Sequence, residues 1–496
     1  MVDFAILSLR KLRQKSTLTN NNRASFTNDE WKGIRIKFIG QTTAGGIAFM
    51  LWFLACCSYV YGTLYRSPVR HENFHVLAVD YDRGVVGEAM QAAYEQLRGP
   101  SFLSLDFHNQ EDFPTEQDMY QSVWRGDYWG AILATEGASD RLEAAIQGGD
   151  VAAMYNPTGA LRYIWNQQYY TTFANSVVQA GLEQLVAATR VAYTKINGTQ
   201  AYPFVARNDQ AAIQAYLNPI NAKATNIKQD PFGSVILFNT ISMAMPILQQ
   251  FFFLLVLNGV SRQHQLYTKM TIISSLNVRR AAGLLFTLGA SLCQTGYFWA
   301  FKESWDVNGN QFVLTWMAFW LLMHIHYLIL DSISTIAPMA VMPFVVLLWV
   351  FLNIASSLSP MELQAGFYNW GVALPSYNTY SVLVTIWTGG AHNRLYRALP
   401  ILFSWWIVAN IVTVVTHFRA CHLAYKFERE EHVDVTQNLK EDEEVATTSP
   451  RQDNDNQISR QTTANVAGLN LMRQRTVEEL TMENRQVYGP SIPPLA

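Results

Sequence analysis

Hydrophobic and polar positions fall along this chain in blocks. From Phe38 to Tyr65 none of 28 residues is Asp, Glu, Lys or Arg, and Lys37 and Arg66 bracket the run. At about 1.5 Å of rise per residue, about 20 apolar residues cross a hydrocarbon core about 30 Å thick. The run therefore predicts a transmembrane helix over 38–65. It is too long for the core of a signal peptide and lacks a small-residue cleavage site before Arg66, so it reads as a retained anchor. Further uncharged blocks predict spans at Val235–Leu257, Ala281–Phe301, Phe312–Leu330, Met339–Leu358 and Ala398–Phe418, six in all.

Between the first two spans, residues 66–233 alternate between two periods. Phe74–Val79, Phe102–Phe107, Tyr128–Ala134 and Val151–Tyr155 read as strands. Gly84–Leu97, Thr115–Trp124 and Ser139–Ile146 read as helices, and a long helical pattern runs from Ala160 to Lys195. Strands alternating with helices predict an α/β layer. The fold expected is thus an α-helical multispan membrane protein carrying an α/β domain after its first helix. A basic tail (1–37) precedes the first span, the remaining spans occupy 234–418, and an acidic tail (419–496) follows. That tail, with Glu441-Asp442-Glu443-Glu444, is too polar to bury a core and is expected to be disordered.

One segment breaks the pattern. Residues 359–397 are almost free of charge between Glu362 and Arg394, yet Pro360, Gly366, Gly371, Pro375, Gly389 and Gly390 interrupt them. Trp370, Tyr377, Tyr380 and Trp387 are the amphipathic aromatics of a membrane–water interface, and the segment reads as interfacial or re-entrant.

Charge sets the orientation. The 1–37 tail is strongly basic, and the 261–280 loop carries Arg262, Lys269, Arg279 and Arg280 without an acid. Both are therefore expected in the cytosol, with both chain ends, and the α/β domain outside. The sequon Asn197-Gly198-Thr199, in an expected loop, gives Asn197 as a glycan acceptor, although chance also produces such triplets. A net charge of −2 over 496 residues argues against nucleic acid as a partner. The four cysteines lie in or beside apolar runs without metal-ligand spacing, and no cofactor is expected.

Candidate chemistry is sparse. There is no phosphate loop of the Gly-x-x-x-x-Gly-Lys-Ser/Thr type, no Gly-x-Ser-x-Gly and no His-Glu-x-x-His, so an enzyme is not expected. His324, His326 and Asp331 form the one conspicuous titratable group at membrane depth. Ionisable groups there are costly and line paths for substrate or protons, or else join helices by hydrogen bonds. His324 and Asp331, seven apart, share a helix face and His326 does not. Gln294, polar within its span, is a further candidate for that path.

The stretches HVLAVDYDRGVVGEAM, VWRGDYWGAILATEGASDRLEAAI and MYNPTGALRYIWNQQYYTTFANSVV follow one span and precede five. In this arrangement the chain resembles the fungal nitrosoguanidine-resistance membrane proteins, whose membrane part is similar to ABC-2 type permeases and to the phage-infection-protein group. The resemblance covers roughly 35–425 and implies architecture rather than a catalytic motif. It implies a plasma-membrane protein conferring resistance to toxic small molecules, with the lipid bilayer, hydrophobic solutes and a second copy or partner transporter as its associates. A regulator of lipid distribution or of other transporters is the rival expectation.

Overall fold

The computed structural model describes residues 26–29, 32–229 and 233–447, with side chains in the last helix through 430. Most of the basic tail and residues 448–496 of the acidic tail therefore lie outside the described residues. Helix α1 (Lys32–Thr63) is apolar, and only 6% of its most hydrophobic window is buried. Such a surface is stable only in lipid.

A mixed sheet follows. Its elements are β1 (His75–Asp80), α2 (Val85–Leu97), β2 (Ser104–His108), α3 (Glu116–Arg125), β3 (Gly130–Ala134), α4 (Ala138–Ile146), α5 (Asp150–Met154), β4 (Leu161–Trp165), α6 (Ala180–Ala201), α7 (Gln210–Leu217) and β5 (Ala222–Asn226). The strand order is β2-β1-β3-β4-β5. All neighbours are parallel except β3 and β4, where Ile132 faces Tyr163 across an antiparallel pair. Successive side chains of a strand point to opposite faces. Val76 and Ala78 of β1 thus enter a core with Met90 of α2 and Leu182 of α6, while Leu77 and Val79 pack with Met119 and Val123 of α3. Both faces are covered, which is why these strands read as continuous apolar runs.

The sheet domain differs from expectation in three places. Val151–Tyr155 is not a strand: Asp150–Met154 forms a short helix, because an apolar run of five residues carries no decisive period. The helix expected from Ala160 begins only at Thr171, since Leu161–Trp165, rich in aromatic and branched residues, pairs as β4. The edge strand β5 was invisible, its Ala-Lys-Ala-Thr-Asn sequence having no fully buried residue.

The helical part comprises α8 (Ile241–Gln263), the short α9 (Leu266–Lys269), α10 (Ile272–Ala300), α11 (Gly309–Ile336), α12 (Met342–Ser357), α13 (Pro375–Trp387) and α14 (Leu395–Thr447). With α1, the helices α8, α11 and α14 make four that are long and apolar enough to cross a membrane. The third expected span corresponds to α10, which has the length but carries Arg279 and Arg280 within its first turns, and the fifth to α12, about 24 Å long at about 1.5 Å per residue. Residues 419–447, expected to be disordered, continue α14 as helix.

Three of the four aromatics expected at an interface in the interrupted segment are buried instead. Trp370 is 42% exposed, but Tyr377, Tyr380 and Trp387 are 7%, 4% and 1% exposed. Helix α13 lies across the end of the bundle nearer the sheet domain. At its start the Ser376 amide donates to Asn353 of α12 at 3.2 Å, and at its end the Trp387 indole donates to Thr315 of α11 at 3.0 Å. Its aromatics pack inward because neighbouring helices, not lipid, surround it.

Candidate functional site

Two polar islands are buried in the helical part, one at each end. The island far from the sheet domain centres on Arg279, 1% exposed in the first turns of α10. The chain needs α10 to begin there because Thr271 caps it, its hydroxyl accepting from the Ser274 amide. One guanidinium nitrogen of Arg279 donates to Asp331 Oδ1 of α11 at 2.5 Å and to Asn258 Oδ1 of α8 at 2.8 Å, the other to Ser261 Oγ at 3.0 Å. The Tyr327 hydroxyl donates to the Arg279 carbonyl at 2.9 Å, and the Tyr267 ring lies 5.6 Å from the guanidinium. Alongside, Ser275 Oγ lies 2.7 Å from His417 Nε2 of α14. A charge pair at this depth persists only with further hydrogen bonds; here both terminal guanidinium nitrogens are bonded, while Arg279 Nε is buried without a partner among the described residues. Arg279, counted from the sequence as a loop charge, is thus inside the bundle; its partner Asp331 could be found from the sequence only as an unpaired acid.

The four residues singled out from the sequence are not brought together. Asp331 pairs with Arg279 and not with His324. The Trp406 indole of α14 donates to His324 Nδ1 at 3.0 Å, and the Trp349 indole of α12 donates to His326 Nδ1 at 3.1 Å, so the imidazoles face different neighbours. Each accepts at Nδ1, which leaves the proton of a neutral ring on Nε2. His326 Nε2 is buried without a partner among the described residues. Gln294 donates to the Ser242 carbonyl at 2.9 Å, joining α10 to α8. Asn197 sits inside helix α6 and not in a loop, with its amide donating to the Tyr193 hydroxyl at 3.0 Å. A glycan at that nitrogen would have to displace this bond. The Asp80-Tyr81-Asp82 strand end is a closed turn: Asp80 Oδ1 accepts from the amides of Asp82 and Arg83, and Asp82 caps α4 through Ser139.

The second island lies where the sheet domain meets α13. Gly126 ends α3 in the left-handed conformation (φ 78°), and a Cβ there would collide with the His392 ring. The His392 amide donates to the Trp124 carbonyl at 2.8 Å, and Arg394 donates to the Gly126 carbonyl at 2.9 Å. Tyr169 stacks on His392 with ring centres 4.0 Å apart, and Trp129 packs beside it. Burial, with Arg394 adding to it, pushes the His392 imidazole down to about 3, so it is neutral. Burial raises the Glu362 carboxyl and pushes the Tyr169 and Tyr170 phenols well above their ordinary value.

Beside these contacts, hydroxyls accumulate without partners. Tyr170 Oη, Ser376 Oγ and Thr379 Oγ1 are buried and unbonded among the described residues, as are Asn378 Oδ1, Gln168 Nε2 and Asn166 Nδ2. The only linear signal for this island was the polar content of Ser376–Tyr380 within an uncharged segment. Tyr170 carried none, since its place depends on β4 and on the turn that follows.

A family model described as a protein of unknown function, DUF3533, matches residues 46–411, which spans the sheet domain, both islands and all but the end of the helical part. No solved structure matches the chain. With about three quarters of its length matched, the chain belongs to the DUF3533 family.

Proposed function

We propose that the protein is a permease-like membrane protein that protects its cell from toxic small molecules by exporting them. The observation that carries this reading is α13: a helix rich in Ser, Thr and Tyr laid across the end of the bundle, with hydroxyls that no group among the described residues satisfies. Lipid-facing or purely structural helices do not retain such groups, because each costs free energy, whereas a solute path needs them. In this reading α10 and α12 bring the number of spans to six. Arg262, Lys269 and Arg280 hold the far end in the cytosol, and the sheet domain stands outside the plasma membrane. The resemblance to the nitrosoguanidine-resistance proteins and ABC-2 type permeases supports the same architecture.

Export is tested by loading cells with a labelled alkylating toxicant and following its loss with and without the protein. Equal retention in both would remove the export reading. If a proton gradient drives the step through the histidines, His324→Ala or Asp331→Asn abolishes efflux in cells where the protein is still present at wild-type level. The second reading, a regulator of lipid distribution or of partner transporters, is favoured by the missing phosphate loop, and predicts inert liposomes together with co-purifying pumps.

A further inference from the structure

Helix α13 presents Ser376, Thr379, Tyr380, Leu383 and Trp387 at three- and four-residue spacing, which puts them on one face. All five are buried. The Tyr170 ring from the sheet domain lies 4.9 Å from Tyr380, so the partnerless Tyr170 hydroxyl belongs to this face together with Ser376 Oγ and Thr379 Oγ1. The loop carrying Tyr170 holds it at φ 55°, a left-handed conformation that costs a non-glycine residue, and a π-helical turn, Ala174–Gln179, follows at once. Strain of both kinds concentrates where proteins bind or switch. Asn166 and Gln168 in the same loop add two amide nitrogens without partners.

We propose that this face of α13 and the 166–170 loop together form a binding site for a neutral organic molecule that both donates and accepts hydrogen bonds and carries a flat apolar body. The unpartnered groups are hydroxyls and amides, which offer either role but no charge. Each nearby charge already faces a protein group: Arg397 donates through Nη2 to the Tyr377 hydroxyl at 3.1 Å, with its Nε left unpartnered among the described residues, Arg394 donates to the Gly126 carbonyl, and the Glu362 carboxylate accepts from Trp129. An ion would therefore have to compete with these contacts for a counter-charge, at a cost that burial raises. Tyr170, Tyr380 and Trp387 supply aromatic surface for the body of the molecule. The inference names a solute class for the path proposed above and rests on that reading for its role, but not for the binding itself.

The experiment uses the full chain purified in detergent, with benzamide, benzoate and benzamidinium as near-isosteric neutral, anionic and cationic probes, titrated by saturation-transfer NMR. Benzamide is expected to bind wild type, and both charged probes at least about tenfold more weakly. Tyr170→Phe and Thr379→Val are each expected to weaken benzamide by about three- to tenfold, while the unliganded protein melts no lower than wild type, because neither hydroxyl has a protein partner to lose. Benzamide that fails to bind, binds the double variant as tightly as wild type, or is outcompeted by a charged probe overturns the proposal. Benzamide binding that persists in a protein shown not to export would leave the site standing and remove the transport role alone.

Discussion

The two buried islands of the helical part are built from similar residues and end in opposite states. Around Arg279 the side chains answer one another almost throughout: Asp331, Asn258 and Ser261 each take a guanidinium bond, only Nε lacks a partner among the described residues, and helices α8, α10 and α11 are pinned together. Around α13, Tyr170, Ser376, Thr379 and Asn378 keep polar atoms that nothing among the described residues answers. A satisfied network stabilises one arrangement of helices, whereas an unsatisfied one is held in place by its surroundings and waits for a partner. The first island is therefore the fixed point of the bundle and the second its receptive one.

Four measurements would break or sharpen that contrast. The largest effect is expected at Asp331→Ala, which leaves Arg279 buried without its counter-charge and should cost about 3–5 kcal/mol of stability. The melting temperature in detergent reports it, and the paired change Arg279→Met with Asp331→Leu should recover most of the loss. If the single change melted like wild type, the far island would not be a fixed point. Next comes Trp406→Phe, which strips His324 Nδ1 of its donor at an expected cost of about 1–3 kcal/mol in the same melt.

A third, comparable effect is pH-linked. His392 titrates near 3 when folded and near its ordinary value when unfolded, so the unfolded chain takes up the proton first as pH falls. The stability this neutral ring confers is full above about pH 7.5 and should fall by about 1.4 kcal/mol by pH 5.5. Glu362, raised by burial, works in the opposite sense at lower pH. Comparing the melting curves of wild type and His392→Gln between pH 7.5 and 5.5 isolates the histidine share, and identical acid sensitivity would contradict its burial. The smallest effect is expected from Thr379→Val, no loss of stability and at most a gain of under about 1 kcal/mol, because the hydroxyl it removes is unpaired. A large loss there would mean that the two islands are alike after all.

Much of this was legible before the fold was known, for reasons that can be named. Uncharged runs such as Val235–Leu257 and Phe312–Leu330 find helices within a few residues, because lipid admits little else. The strands β1 and β3 were equally plain, since burial on both faces leaves them continuously apolar. What failed was local pattern overruled by distant packing. The β4 strand looked helical because its partner β3 lies far back in the sequence, and Tyr377, Tyr380 and Trp387 looked interfacial because their helix neighbours cannot be read from spacing. The site residues suffered most: His324, His326 and Asp331 were close in sequence, but each turns to a different helix.

One further consequence lies in α14. At about 1.5 Å per residue its 53 residues reach about 80 Å, well beyond the bilayer thickness, with Pro400 inside its first turns. Near its beginning Arg397 holds Tyr377 of α13, and farther along Thr413 Oγ1 lies 2.9 Å from Ser332 Oγ, next to Asp331. A single rod thus grips both polar islands and then runs on to Thr447. Any tilt imposed at the α13 end would be carried mechanically along it, so that a partner held at its far end would feel the change without touching whatever caused it.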